Sequence, residues 1–430
     1  MMPNIPDIEQ LRHQHHAKAR AEQPKHAIAI ANAQFTNVGD RRYRMEWPAI
    51  ATVFEVDRLR REHGELTGEL CVRCSLPGAR AVSDGILGIA DLNFNSLQAR
   101  LRQANWLAGR AGTRDLDWIG LVEEFAQAVL RADREGQPAV DLRDVPRPKP
   151  DDNAVVEGLV LPRRHPSILF GDGGAAKSYT ALWLAGRLAQ QCIRVALFDW
   201  ELAGEDHRDR LERLFPDGMP QIMYCRCERP LTYEVDRLSR IVRDHRIEYS
   251  IFDSVAFACD GPPEAAEIAG KYFRAVRQIG GGSLHIAHIS KAEGADQKPF
   301  GSTFWHNGAR STWFAQLAET SGDSSILNLG LFNRKANLGR LRAPIGFAVT
   351  FTGDHTVFRR AEVAENPDLA RKLTVPQRMK ALLGKGALTP EQIAQEIDAE
   401  AETVKRTVRR HKNLFVTIEG GRIGLLERVK

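Results

Sequence analysis

The sequence predicts an α/β protein built around a mainly parallel sheet covered on both faces. Three observations predict it. Between Leu159 and Arg360, short apolar runs alternate with amphipathic helical stretches. Inside that region, Phe170-Gly-Asp-Gly-Gly-Ala-Ala-Lys-Ser178 places glycines between a strand-like and a helix-like segment. Residues 375–430 compress three helical stretches and a hairpin into a basic tail. At 430 residues the chain exceeds one typical domain, so two to four are expected.

Residues 1–40 lack sustained apolar periodicity and read as a flexible N-terminal segment. His13, His15 and His16 fall there, in polar surroundings that favour solvated rings over metal ligands. No apolar run reaches membrane-spanning length, and Met1 to Arg20 lacks the apolar core of a signal peptide. The expectation is a cytoplasmic protein without membrane contact.

Residues 41–143 read as a small α+β domain. Alternation in MEWPAIATVFEV and ELCVRCSL predicts strands, and Ser96 to Ala108 and Leu116 to Arg134 predict helices. The second helix would bury Ile119, Val122, Phe125, Ala126 and Val129 on one face. Cys71 and Cys74 form a single CxxC, and zinc would need two further ligands, so reduced, buried thiols are the better reading. Asp144 to Asn153 is proline-rich and charged, which predicts a linker over 144–158.

Over 159–363, strands are expected at Ser167 to Phe170, Val195 to Asp199, Gln221 to Cys225, Tyr249 to Asp253 and Ser283 to Ile289. Runs near 312–317, 326–332 and 345–351 lack long helices between them and would extend one edge. A second linker spans 364–374. The tail, 375–430, combines a helix at Gln377 to Leu383, a capped start at Thr389-Pro-Glu-Gln392, a helix from Ala401 to Lys412 and a hairpin around Glu419-Gly-Gly421. Three helices and a hairpin predict a winged helix-turn-helix.

The glycine run reads as a phosphate-binding loop from Gly171 through Asp172, Gly173, Gly174, Ala175, Ala176, Lys177, Ser178 and Tyr179. Its backbone N–H groups would close around a polyphosphate, Lys177 would reach the β/γ-phosphates and Ser178 would face Mg²⁺. Ala176 stands where the pattern GxxxxGK[ST] has its last glycine, and its methyl group would strain the turn. The metal also needs an acidic ligand, for which Asp253, closing an apolar strand, is the candidate. Hydrolysis needs a group that orients or deprotonates water. Glu201, just after the second strand, is favoured over its rival Asp199. The cofactors implied are ATP and Mg²⁺.

Several further motifs resemble one family. Glu201 with His207-Arg208-Asp-Arg210-Leu211, Asp253-Ser254, His288-Ile-Ser-Lys291, Gly301-Ser302 and Asn307-Gly-Ala-Arg310 recur in the order found in plasmid RepA-type hexameric helicases, which are RecA/DnaB-like ATPases. The resemblance covers about Leu159 to Gly353 and implies a RecA-like P-loop ATPase core. It further implies a homo-oligomeric ring, as a hexamer, with single-stranded DNA in its channel and an ATP site between subunits. Arg310 would be the finger completing the neighbour's site. His288, Lys291 and Ser302 are secondary candidates near the γ-phosphate or DNA. Lys335 is another, although Asn337 stands where the family has an Arg. The loops Val255 to Ala265 and Ala292 to Lys298 would face the channel, with few aromatics to stack on bases.

The formal charge is +5 for the whole chain, and Lys372 to Lys430 alone holds twelve Lys/Arg against seven Asp/Glu. On the last helix, Lys405, Arg409 and Lys412 share a face with Arg406 and Arg410 beside it, a pattern suited to double-stranded DNA. The leading reading is an ATP-dependent DNA helicase or translocase acting in replication of a plasmid, phage or mobile element. The alternative is an ATP-switched DNA-binding initiator, recombination mediator or regulator with little helicase activity.

Overall fold

A computed structural model describes residues 33–39, 41–112, 116–136, 139–149, 152–289, 299–300, 303–318, 325–337 and 339–426. The three histidines of the N-terminal segment lie outside them. The chain divides into two compact units, Met1–Pro146 and Arg147–Lys430.

The first unit is a five-stranded antiparallel meander of β1 (Gln34–Gly39), β2 (Arg42–Trp47), β3 (Thr52–Glu62), β4 (Glu65–Cys74) and β5 (Ile86–Asn93), followed by helices α1 (Leu97–Ala111) and α2 (Trp118–Glu135). Strand β1 falls within the stretch expected to be flexible. It forms because its backbone pairs with β2 and Phe35 stacks on Tyr43 at 5.6 Å. Alternating positions of β2 and β4 bury their side chains, and Trp47, Phe54, Trp118 and Phe125 close the core. Ser96 and Asp117 cap the two helices by accepting from Ala99 and Gly120 N–H. Ile119, expected inside, is 43% exposed, and Trp118 and Leu121 take the buried face instead. Cys74 is buried and Cys71 half-buried on β4, and the described residues hold no cluster of three metal-binding side chains.

The second unit opens with a hairpin, β6 (Asn153–Val156) and β7 (Leu159–Pro162). Strand β6 lies in the stretch read as linker, and it forms because Ala154 and Val156 bury against the core. Next come β8 (Pro166–Gly171), α3 (Lys177–Gln190), β9 (Val195–Asp199), α4 (Gly204–Leu214), β10 (Ile222–Arg226), α5 (Leu231–Asp244), β11 (Tyr249–Asp253), α6 (Val255–Ala258), α7 (Ala266–Ile279), β12 (Gly282–His288), α8 (Thr303–Gly308) and β13 (Ser311–Leu317). The sheet is completed by β14 (Ile326–Ala336), β15 (Ile345–Phe351) and β16 (Thr356–Ala361). Its nine strands run in the order β10-β9-β11-β12-β8-β13-β14-β15-β16. From β10 to β13 all pairs are parallel, and beyond β13 the strands form an antiparallel meander.

Burial on both faces explains why the inner strands read as continuous apolar runs. On one face Leu182, Trp183, Leu211 and Leu214 from α3 and α4 join the β6–β7 hairpin. On the other, Leu231, Leu238, Tyr272, Phe273 and Trp305 come from α5, α7 and α8. After α9 (Pro367–Ala370), helices α10 (Val375–Leu383), α11 (Pro390–Glu396) and α12 (Ala401–Arg410) and the antiparallel pair β17 (Phe415–Thr417) and β18 (Ile423–Leu425) share a core of Met379, Leu383, Ile393, Val404, Phe415 and Ile423. Helix α12 stops at Arg410, short of the expected Lys412, because Phe415 folds back and donates its N–H to the His411 carbonyl at 3.0 Å.

Candidate nucleotide site

The phosphate loop leaves the C-terminal end of β8 and feeds helix α3. Gly171 is registered against His288 on β12 and Ala315 on β13. A Cβ at Gly171 would collide with the Ala315 carbonyl, so close strand packing requires this glycine. Gly174 adopts φ 76°, and neither it nor Gly173 would meet an atom within 4 Å if a Cβ were added. That open space over N–H groups is what a polyphosphate needs. Ala176 adopts φ 51°, ψ 24°, the left-handed conformation the missing glycine would supply freely. The loop is therefore formed with alanine, at a conformational cost.

Lys177 begins α3, is buried, and donates through Nζ to the Asp172 carbonyl at 2.5 Å. Burial lowers its pKa, while the nearby charges of Asp253, Asp172 and Glu201 act in the opposite sense. Its helix N-terminus adds a positive potential where phosphate would sit. Tyr179, one residue past Ser178, lies under the Arg210 guanidinium at 4.7 Å, which ties α4 to the loop helix.

Asp199 and Asp253 are registered partners at the C-terminal ends of β9 and β11. Asp253 is 2% exposed, and burial pushes its pKa up to about 6; the Ser178 hydrogen bond opposes the rise, and Asp199 and Glu201 add to it. Its Oδ1 and the Ser254 hydroxyl are buried with no hydrogen-bond partner among the described residues. An unpartnered carboxylate oxygen beside a serine hydroxyl fits a hard divalent cation such as Mg²⁺.

Asp199 is fully buried and engaged. It accepts from Glu201 N–H at 3.2 Å, Leu202 N–H at 2.8 Å and Arg226 Nη1 at 3.1 Å, with His207 Nε2 at 3.5 Å. Those contacts hold the loop that carries Glu201 and leave Asp199 no access to water, whereas Glu201 is exposed. Arg226 also donates to the Leu202 carbonyl at 2.7 Å. Nothing in the sequence singled Arg226 out, because one arginine ending a strand carries no spacing signal.

His288 ends β12, half-buried, and its pKa is lowered by burial and by the charge of Lys177. Lys291, Gly301, Ser302 and the loop 292–298 with Lys298 lie outside the described residues. Arg310 stands elsewhere. Its N–H donates to the Pro166 carbonyl at 2.8 Å, and Ser311 is registered with Ser167. The four residues from Ser167 to Gly171 rise on the order of 13 Å, so Arg310 occupies the sheet rim opposite the chain's own phosphate loop. Lys335 shares that rim: it donates to the His306 and Asn307 carbonyls at 2.7 and 3.2 Å, and burial and then Arg310 lower its pKa. In the tail, Lys405 pairs with Glu391 at 3.2 Å and Arg409 lies 4.0 Å from Glu402; Lys405, Arg406, Arg409, Arg410 and Lys412 are all exposed.

Residues 131–294 match the family model of the AAA domain. With the loop geometry, that match decides the coarse class. The central domain is a P-loop ATPase domain. Its parallel-rich sheet fits the RecA-like core that the motif order implied. Among solved structures, the ATPase domain of a helicase aligns at 12% identity over 46% of this chain and 86% of its own, with a TM-score of 0.38. No curated protein matches the chain. No described helix is long and apolar enough to cross a membrane.

Proposed function

We propose that the chain is an ATP-dependent DNA translocase of the RepA-like helicase type, working as a homo-oligomeric ring in replication of a plasmid, phage or mobile element. The observation that carries the reading is the position of Arg310 on the rim opposite the chain's own phosphate loop. In a ring, that rim faces the loop of the next copy.

In this reading residues 159–363 do the chemistry. Gly171 to Tyr179 bind the ATP phosphates, and Lys177 leaves the Asp172 carbonyl to neutralise them. Ser178 and Asp253 would hold Mg²⁺, which when bound supplies charge neutralisation at the phosphate oxygens. Glu201, held by the Asp199–Arg226 network, orients water and takes its proton. Arg310 of the neighbouring copy offers its fixed, permanently charged fork to the transferred phosphoryl group. The three helices and hairpin of 375–430 act as a winged helix-turn-helix, with α12 on duplex DNA. Residues 41–143 serve as scaffold or docking surface.

The test is strand displacement with steady ATP turnover by the purified chain, alongside electron microscopy with a non-hydrolysable ATP analogue and single-stranded DNA. Rings with DNA in the channel and continuous unwinding are expected. Binding of ATP and DNA with negligible turnover supports instead the ATP-switched initiator, mediator or regulator.

A further inference from the structure

Cys225 and Cys227 flank Arg226 at the end of β10, the sheet's edge strand beside β9. Arg237 on α5 donates through Nη1 to the Cys225 sulfur at 3.2 Å and through Nη2 to the Cys227 sulfur at 3.6 Å. Its guanidinium is fixed there by Glu234, which accepts from Nε at 2.6 Å, and by the Arg226 carbonyl, which accepts at 3.0 Å. Cys227 is buried and Cys225 only half-buried. The hydrogen bond from Cys227 brings the Cys225 thiol down to about 7, opposed by partial burial and helped by Arg237. The same hydrogen bond, and then burial, push Cys227 up. One guanidinium thus serves a thiolate reachable from solvent and a thiol behind it.

We infer that Cys225 and Cys227 are a peroxide-responsive thiol pair, Cys225 the attacking sulfur and Cys227 the resolving one. The Cys225 thiolate attacks one oxygen of a hydroperoxide. The S–O bond forms, the O–O bond breaks, and the leaving hydroxide or alkoxide takes a proton from water; sulfur is oxidised and the peroxide reduced. Cys227 then gives up its proton and attacks the sulfenic sulfur. The S–S bond forms, the S–O bond breaks and water leaves.

The pair adjoins the nucleotide site through two contacts. Cys227 N–H donates to the Asp199 carbonyl at 2.8 Å, and Arg226, between the cysteines, binds the Asp199 carboxylate and the Leu202 carbonyl. Drawing the two sulfurs together pulls on Arg226 and loosens the loop that carries Glu201, so the disulfide slows hydrolysis. That coupling rests on the ATPase reading; the thiol chemistry does not.

The experiment treats the reduced full-length chain with hydrogen peroxide at pH 7, maps its thiols by peptide mass spectrometry and measures ATP turnover on the same samples. A Cys225–Cys227 disulfide is expected before any change at the exposed Cys192, with turnover falling several-fold and returning on reduction. Cys227→Ser should stop at a sulfenic acid that dimedone traps at Cys225, and Arg237→Lys should slow oxidation. Oxidation of Cys192 ahead of a pair that stays reduced overturns the proposal. A disulfide that leaves turnover unchanged overturns the coupling. Should the reduced chain show no turnover at all, the ATPase reading fails and the peptide map alone decides the thiol pair.

Discussion

The backbone N–H of Arg310 donates to the Pro166 carbonyl, at the start of the strand whose far end, Gly171, opens the phosphate loop. Arginine and loop are anchored to one strand yet point to opposite rims of the sheet. No rotamer of Arg310 spans that strand to reach its own loop.

Arg310→Ala should therefore bind ATP normally and hydrolyse it on the order of 10³-fold more slowly. Mixed with Lys177→Ala chains, it should recover part of the missing rate, because some interfaces pair an intact loop with an intact arginine. Turnover measured across mixing ratios checks this. No recovery in rings shown to be mixed would sink the assignment in trans.

Glu201→Gln and Asp199→Asn should fail differently. Glu201 is exposed, so its amide keeps the melting temperature and nucleotide binding while turnover falls by roughly 10² to 10⁴. Asp199 accepts from two backbone N–H groups and Arg226, and an amide cannot accept them all. A destabilisation of about 1–3 kcal/mol is expected by denaturant titration. The reverse pattern would exchange the two roles.

Asp253 gives a pH signature. Its folded pKa, about 6, lies above the ordinary carboxylate value of 3.8, so its folded form resists ionisation. Its contribution to stability therefore falls as pH rises from about 4 to 6 and is level above that. Mg²⁺·ATP favours the carboxylate, so nucleotide affinity should rise from pH 5 to 7. Asp253→Asn should flatten both profiles, read by calorimetry across that range.

Ala176→Gly removes a methyl group from a left-handed residue. Equilibrium unfolding should show a gain of up to about 1 kcal/mol, because the strain relieved outweighs the added freedom of the unfolded chain. Turnover should stay at the parent rate, since the loop already holds that conformation. A large gain in rate would show that Ala176 throttles hydrolysis.

Arg406→Glu with Arg410→Glu should weaken duplex binding across all sequences. The slope of log affinity against log salt should lessen by about 0.9 for each phosphate no longer neutralised. Lys405 is the poorer choice for this test, because its ammonium is already held by Glu391. An unchanged salt slope would remove α12 from the interface.

Where side chains are buried on both faces, the sequence was legible: β8, β9 and β11 read as apolar runs, and Gly171, Lys177 and Asp253 stand out at their ends. The strands that escaped notice are edges or hairpins. In β16, Arg359 and Arg360 are exposed beside a buried Thr356, so no run or clean alternation survives. Strand β6 hides behind a proline-rich stretch. The rim occupied by Arg310 depends on the register of β13 against β8, which pairs residues more than a hundred positions apart. The grip of Arg226 on Asp199 likewise exists only once β10 lies beside β9.

With loop and arginine on opposite rims, a solitary chain holds fuel it cannot burn. Rate per chain then depends on crowding, and scales with how often neighbours meet. Copies dispersed through a cell would stay charged and idle, while copies gathered along one DNA molecule would ignite together. The strand register alone would thus confine consumption of ATP to the place where the chains collect.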